Sequence, residues 1–112
     1  MVRTNASLMS GIPELLVLRL LAKQEMYGYE LARDIRLVTN QAISIGESVL
    51  YPALHSLEQR HLLRSRRQKV EGRVRVYYRI TPAGTRRLLE LGNNWKRIAG
   101  GMESALKESS SG

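Results

Sequence analysis

Two sets of side chains in this 112-residue chain have types and spacing that could do chemistry. Tyr51, Pro52, His55, Ser56 and Gln59 recur at intervals that place them on one face of a helix. Their hydroxyl, imidazole and carboxamide groups can exchange hydrogen bonds with base edges, and their apolar surfaces can pack on thymine methyls. A short way on, between Arg64 and Arg79, seven basic residues (Arg64, Arg66, Arg67, Lys69, Arg73, Arg75 and Arg79) stand against the single acid Glu71, a local charge of +6. Cations at that density neutralise phosphates or enter a narrow minor groove. The competing reading of the basic run alone is a solvated, solubilising face.

Catalytic chemistry finds no such match. Cysteine is absent, which removes disulfides, thiolate metal sites and thiol nucleophiles. The two histidines, His55 and His61, are six residues apart and lack the i, i+4 spacing of a helical zinc pair. With no glycine-rich phosphate loop, nucleophile elbow or acid pair, neither an enzyme nor a bound cofactor or metal is expected. The whole chain carries 18 Lys+Arg against 10 Asp+Glu, a net +8, which points to a polyanionic partner. The longest apolar stretch, Leu15 to Ala22, is broken by Arg19 and falls far short of the roughly 20 residues a membrane span needs. No membrane partner is expected, and the absence of cysteine suits a reducing cytoplasm.

The elements that must position these residues follow from periodicity and punctuation. Residues 1–9 read as a loose N-terminal arm. Pro13 and Glu14 open a first helix whose leucines, Leu15 to Leu21, wrap most of its circumference, so it should be largely buried. A second helix runs from about Tyr29 to Thr39, amphipathic through Leu31, Ala32, Ile35 and Val38, and preceded by Gly28, which permits a close approach. A polar link, Thr39 to Gly46, leads to a third helix placed to begin near Ser48 or Val49, since Pro52 belongs in or just after a first turn. Leu50, Ala53, Leu54 and Leu57 are its core stripe. Leu62 to Val70 and Arg73 to Ile80, joined by Glu71-Gly72, read as a β-hairpin, with Val74, Val76, Tyr78 and Ile80 alternating against arginines and Tyr77. Thr81-Pro82 caps a last helix expected to run to Leu106, with a heptad seam at Leu88, Leu91, Trp95, Ile98 and Met102. A domain this small offers that seam too little to pack on, so a second copy of the chain is the expected partner. Residues 107–112 read as a flexible tail. The fold class expected is mainly α with a small β-hairpin: a winged helix-turn-helix over residues 10–80 followed by a C-terminal dimerisation helix, residues 81–106.

Three stretches sharpen this. Met26-Tyr27-Gly28-Tyr29-Glu30-Leu31, Glu47 through Glu58 with its Leu50-Tyr51-Pro52-Ala53-Leu54 centre, and Val76-Tyr77-Tyr78-Arg79-Ile80-Thr81-Pro82-Ala83-Gly84 closely resemble the PadR family of winged helix-turn-helix transcriptional regulators over roughly residues 10–106. Two positions depart from the family pattern: Ser48-Val49 stands where Gly-Thr or Gly-Ser is usual, and His61 replaces a glycine after the third helix. The resemblance implies a homodimeric repressor, binding double-stranded DNA at a pseudo-palindromic operator. The implied groove-facing residues are Ser48, Val49, Tyr51, Pro52 and His55, with Lys69, Arg73 and Arg75 on phosphates or the minor groove. Leu88, Leu91, Trp95, Ile98 and Met102 would form the dimer interface, and Trp95 with Met102 would line a site for a small planar hydrophobic effector. The alternative expectation is a winged-helix dimer that binds a protein or small molecule and reads no DNA sequence.

Overall fold

The computed structural model describes residues 11–111, of which 108–111 as backbone only. The expected arm, residues 1–9, and the last tail residue lie outside the described residues. The elements are α1 (Ile12–Leu21), β1 (Met26–Tyr27), α2 (Gly28–Val38), α3 (Glu47–Gln59), β2 (Leu63–Val70), β3 (Arg73–Ile80) and α4 (Pro82–Ser111). Among the described residues four helices surround one core, with a three-stranded antiparallel sheet, order β1-β3-β2, along its side.

The centre is α1, which buries Val17, Leu18, Leu20 and Leu21 against α2, α3 and α4. Leu31 and Ile35 of α2 and Leu50, Leu54 and Leu57 of α3 meet them there, each removed from water. Burying such side chains stabilises the fold by about 1.5–3 kcal/mol apiece before the entropy of ordering them is subtracted. Val38, placed on the same stripe by periodicity, is exposed, because α2 ends at that residue. The link to α3 is shaped by backbone bonds. Asn40 and Gln41 take positive φ, the Gln41 N–H donates to the Arg36 carbonyl at 2.7 Å, and the Thr39 hydroxyl donates to the Ile35 carbonyl at 2.7 Å. Thr39 Oγ1 also accepts from the Ile43 N–H at 3.2 Å, which turns the chain so that Ile45 enters the core.

α3 begins at Glu47, one residue earlier than Pro52 suggested, so the proline stands in the second turn. Having no N–H, it leaves the Ser48 carbonyl without its usual i+4 donor. At the other end His61 takes φ +60 in the position past the helix where glycine is the common solution. The Leu62 N–H donates to the Leu57 carbonyl at 2.9 Å and the His61 N–H to the Glu58 carbonyl at 3.0 Å, completing the Schellman turn despite the imidazole. That turn is docked on the start of α4. Thr81 donates from its hydroxyl to the His61 carbonyl at 2.7 Å and from its N–H to the Leu62 carbonyl at 3.1 Å. Thr81 Oγ1 accepts in return from the Gly84 N–H at 3.0 Å, capping α4 as Thr-Pro foretold. Gly84 is required here, since a Cβ would overlap the Leu62 carbonyl.

β2 and β3 pair over their full lengths, from Leu63 opposite Ile80 to Val70 opposite Arg73. The turn residues Glu71 and Gly72 both have positive φ, the two-residue hairpin geometry matched to sheet twist. β1 was not read from sequence: two residues, Met26 opposite Tyr78 and Tyr27 opposite Tyr77, are too few to show a period. α4 also differs. It continues past Leu106 to Ser111 rather than giving way to a loose tail, because nothing after Met102 breaks a helix and Gly100-Gly101 is accommodated. Its seam divides. Leu88 and Leu91 are half-buried against this chain's own core, whereas Trp95, Ile98 and Met102 are exposed beyond it.

Candidate nucleic-acid interface

α3 presents to solvent the face expected of it. Ser48, Tyr51, Pro52, His55, Ser56 and Gln59 are exposed while Leu50, Leu54 and Leu57 are buried behind them. Glu47 stands in the first turn beside Ser48. Val49 does not join this face; it is half-buried and packs on the core, so the apolar residue expected at the helix tip is turned inward.

The hairpin stands beside this face. Alternation puts Arg67 and Lys69 on the same side of the sheet as Val74 and Val76, and puts Arg64, Arg66, Arg73, Arg75, Tyr77 and Arg79 on the other. Val74 and Val76 line a cleft of about 370 Å³ whose other walls include Tyr51 and His55 of α3 and Tyr27-Gly28 at the start of α2. Val74 is 61% exposed, because the hairpin runs out past the body of the domain and only its base rests on the core. Tyr78, at that base, is buried as its register with Val74 and Val76 implied, and burial raises its phenol pKa above the usual value of 10.0.

The three expected wing cations are therefore not equivalent. Lys69 and Arg73 are exposed near the turn, on opposite faces. Arg75 lies with its guanidinium 4.5 Å from the centre of the Tyr27 ring, a cation–π arrangement. A hydrogen bond to Tyr77 is the main cause raising its pKa above that of an ordinary arginine. Tyr27 meets Tyr77 edge to face at 5.5 Å and stacks near Tyr29 at 6.4 Å. Arg66 covers Tyr77 at 4.7 Å and clasps Glu25 with two N–H groups, at 2.8 and 2.5 Å, which holds the Glu25 carboxyl below its usual pKa. Forty-one residues separate Arg66 from Glu25, and no sequence pattern joins them. The adjacent Gly28 did carry a signal, since a glycine opening a helix suggests close approach. The partner is the Tyr51 ring, which a Cβ at Gly28 would overlap.

Glu14, read as a dipole-favouring residue, has a second role. It bridges three helices by accepting from Arg60 at 3.1 Å and Arg87 at 3.2 Å. Among the described residues no group of three or more His, Cys, Asp or Glu is placed to hold a metal ion, and no helix is long and apolar enough to cross a membrane.

An amphipathic helix pair with its second member exposed along an uncharged polar face, flanked by a basic hairpin and followed by a long helix, defines a winged helix-turn-helix protein. Residues 17–90 match the model of the transcriptional regulator PadR-like family, and the chain belongs to that family. It is 33% identical to an uncharacterised protein of Lysinibacillus sphaericus over 88% of this chain and 89% of that one. Its fold is similar to a transcriptional regulator from Clostridium thermocellum, with TM-score 0.80 and 30% identity over 88% and 96% of the two chains. It is also similar to a PadR family transcriptional regulator from Eggerthella lenta, with TM-score 0.74 and 32% identity over 89% and 86%.

Proposed function

We propose that this chain is a sequence-specific DNA-binding repressor that works in the cytoplasm as a homodimer on a pseudo-palindromic operator. The observation that carries the reading is the pairing of an uncharged, hydrogen-bonding α3 face with a wing of charge +6 in a PadR-like transcriptional regulator. α3 enters the major groove with Ser48, Pro52 and His55 at its surface, and Lys69 and Arg73 meet phosphates or the flanking minor groove. Residues 10–80 form the DNA-binding unit, and residues 81–106 bring two copies together.

The exposed row on α4 supports dimerisation. Trp95, Ile98 and Met102, 48%, 48% and 57% exposed, follow one another at heptad spacing beyond the reach of the domain's own core, continuing from Leu88 and Leu91. Trp95 with Met102 also offers a flat aromatic and a polarisable thioether to a small planar hydrophobic effector, which would tune DNA affinity by favouring one arrangement of the two copies. Selection of duplexes from a random pool by the full-length protein tests the reading. A recovered inverted repeat with half-sites about 34 Å apart supports it. Equal binding to selected and random duplexes overturns it in favour of an interaction module or a non-specific nucleic-acid binder.

A further inference from the structure

Tyr27 belongs to two elements at once. It pairs with Tyr77 in the sheet, it precedes the first turn of α2, and its backbone N–H donates to Glu30 Oε1 at 3.2 Å within that turn. From the wing, the Arg75 guanidinium lies on its ring. From α3, the hydroxyl end of the Tyr51 ring lies against the next residue, Gly28, so closely that a Cβ there would push it aside. Wing and recognition helix thus bear on one dipeptide from two sides, with the 370 Å³ cleft between them. The two elements also meet at the base of the hairpin, where the Ser65 hydroxyl donates to Glu58 Oε2, while the distal part of the wing is exposed.

We infer that Tyr27-Gly28 is a shared seat that sets the angle between wing and α3, and that Arg75 and Tyr51 are positioning residues held on it rather than contacts to DNA. The inference rests on the DNA-binding reading above and reassigns two of the eight contact residues that the family resemblance implied. A guanidinium seated on an aromatic face is less free to follow phosphates than the exposed Arg73. Tyr51 is 39% exposed, but the hydroxyl end of its ring lies against Gly28, and the group that could bond to base edges is engaged there.

The test measures affinity of full-length protein for its selected duplex across a salt series. Arg75→Ala should weaken binding about fivefold without changing the salt slope, and should add nothing in a Tyr27→Ala background. Tyr27→Phe, which keeps the ring, should bind as the parent does. Arg73→Ala should instead lower the slope by about 1 per subunit. Tyr51→Phe should select the same bases at every position. A slope reduced by Arg75→Ala in both backgrounds, or a changed base preference with Tyr51→Phe, overturns the inference. In DNA-free protein, Arg75→Ala should speed amide exchange at Tyr77 and in the first turn of α2 but not in α4. Unchanged exchange overturns the shared seat even where specific DNA binding holds, and faster exchange in a chain that selects no duplex overturns the DNA reading alone.

Discussion

The Thr81 hydroxyl donates to the His61 carbonyl at 2.7 Å, so the turn that ends α3 is held by the residue that starts α4. α3 is therefore anchored at its exit to the helix that carries the exposed apolar row. Thr81→Val should lose both the cap to Gly84 and this bond, lowering stability by about 1–2 kcal/mol in urea unfolding. His61→Gly, at φ +60, should raise it by about 1 kcal/mol, because the imidazole-bearing residue tolerates that conformation only at a cost.

Gly28→Ala should destabilise the protein by no more than about 1 kcal/mol, since the added methyl displaces only the hydroxyl end of the half-exposed Tyr51 side chain. The loss should be largely recovered in combination with Tyr51→Ala. Independent, additive losses in the same unfolding experiment would contradict the contact.

Acidification should act through the Arg66 clasp on Glu25. The folded carboxyl has a pKa below its ordinary 4.5, so its contribution is fully present above that value and is lost as pH falls through the lower, folded one. Wild type should be more stable than Glu25→Gln at neutral pH, and the difference should close below pH 4.5. A constant difference in urea midpoint down to pH 3 would contradict the assignment.

On α4, Ile98→Glu should shift the full-length protein from dimer to monomer in sedimentation, because an uncompensated carboxylate on that row opposes burial. Glu103→Lys should leave the dimer intact, its side chain lying off the Trp95, Ile98 and Met102 row.

Much of this arrangement was legible in the residues. The leucine stripe of α3 and Thr81-Pro82 each state a local rule that the structure obeys, whereas the alternation of β3 sets its register but buries only its base, Val74 being exposed. What escaped was non-local or too short to be periodic. β1 has two residues, and the Arg66 to Glu25 and Arg75 to Tyr27 contacts depend on how the sheet closes against the start of α2. Val49 shows a limit of another kind: the family resemblance implied a groove-facing residue, while the structure half-buries its side chain against the core. Likewise Pro52 bounded the start of α3 to within one residue, though a second-turn proline is tolerated where the Ser48 carbonyl can face water.

If α3 and the wing together read a DNA sequence, the salt dependence of binding will show it. Binding to the selected duplex should fall linearly on a log–log plot against salt concentration, with a slope that Lys69→Ala plus Arg73→Ala reduces by about 4 per dimer. Across the same series the selected duplex should stay at least 1,000-fold preferred over a random one. Equal affinity for the two duplexes at every salt concentration, or a slope the double substitution leaves unchanged, would contradict it.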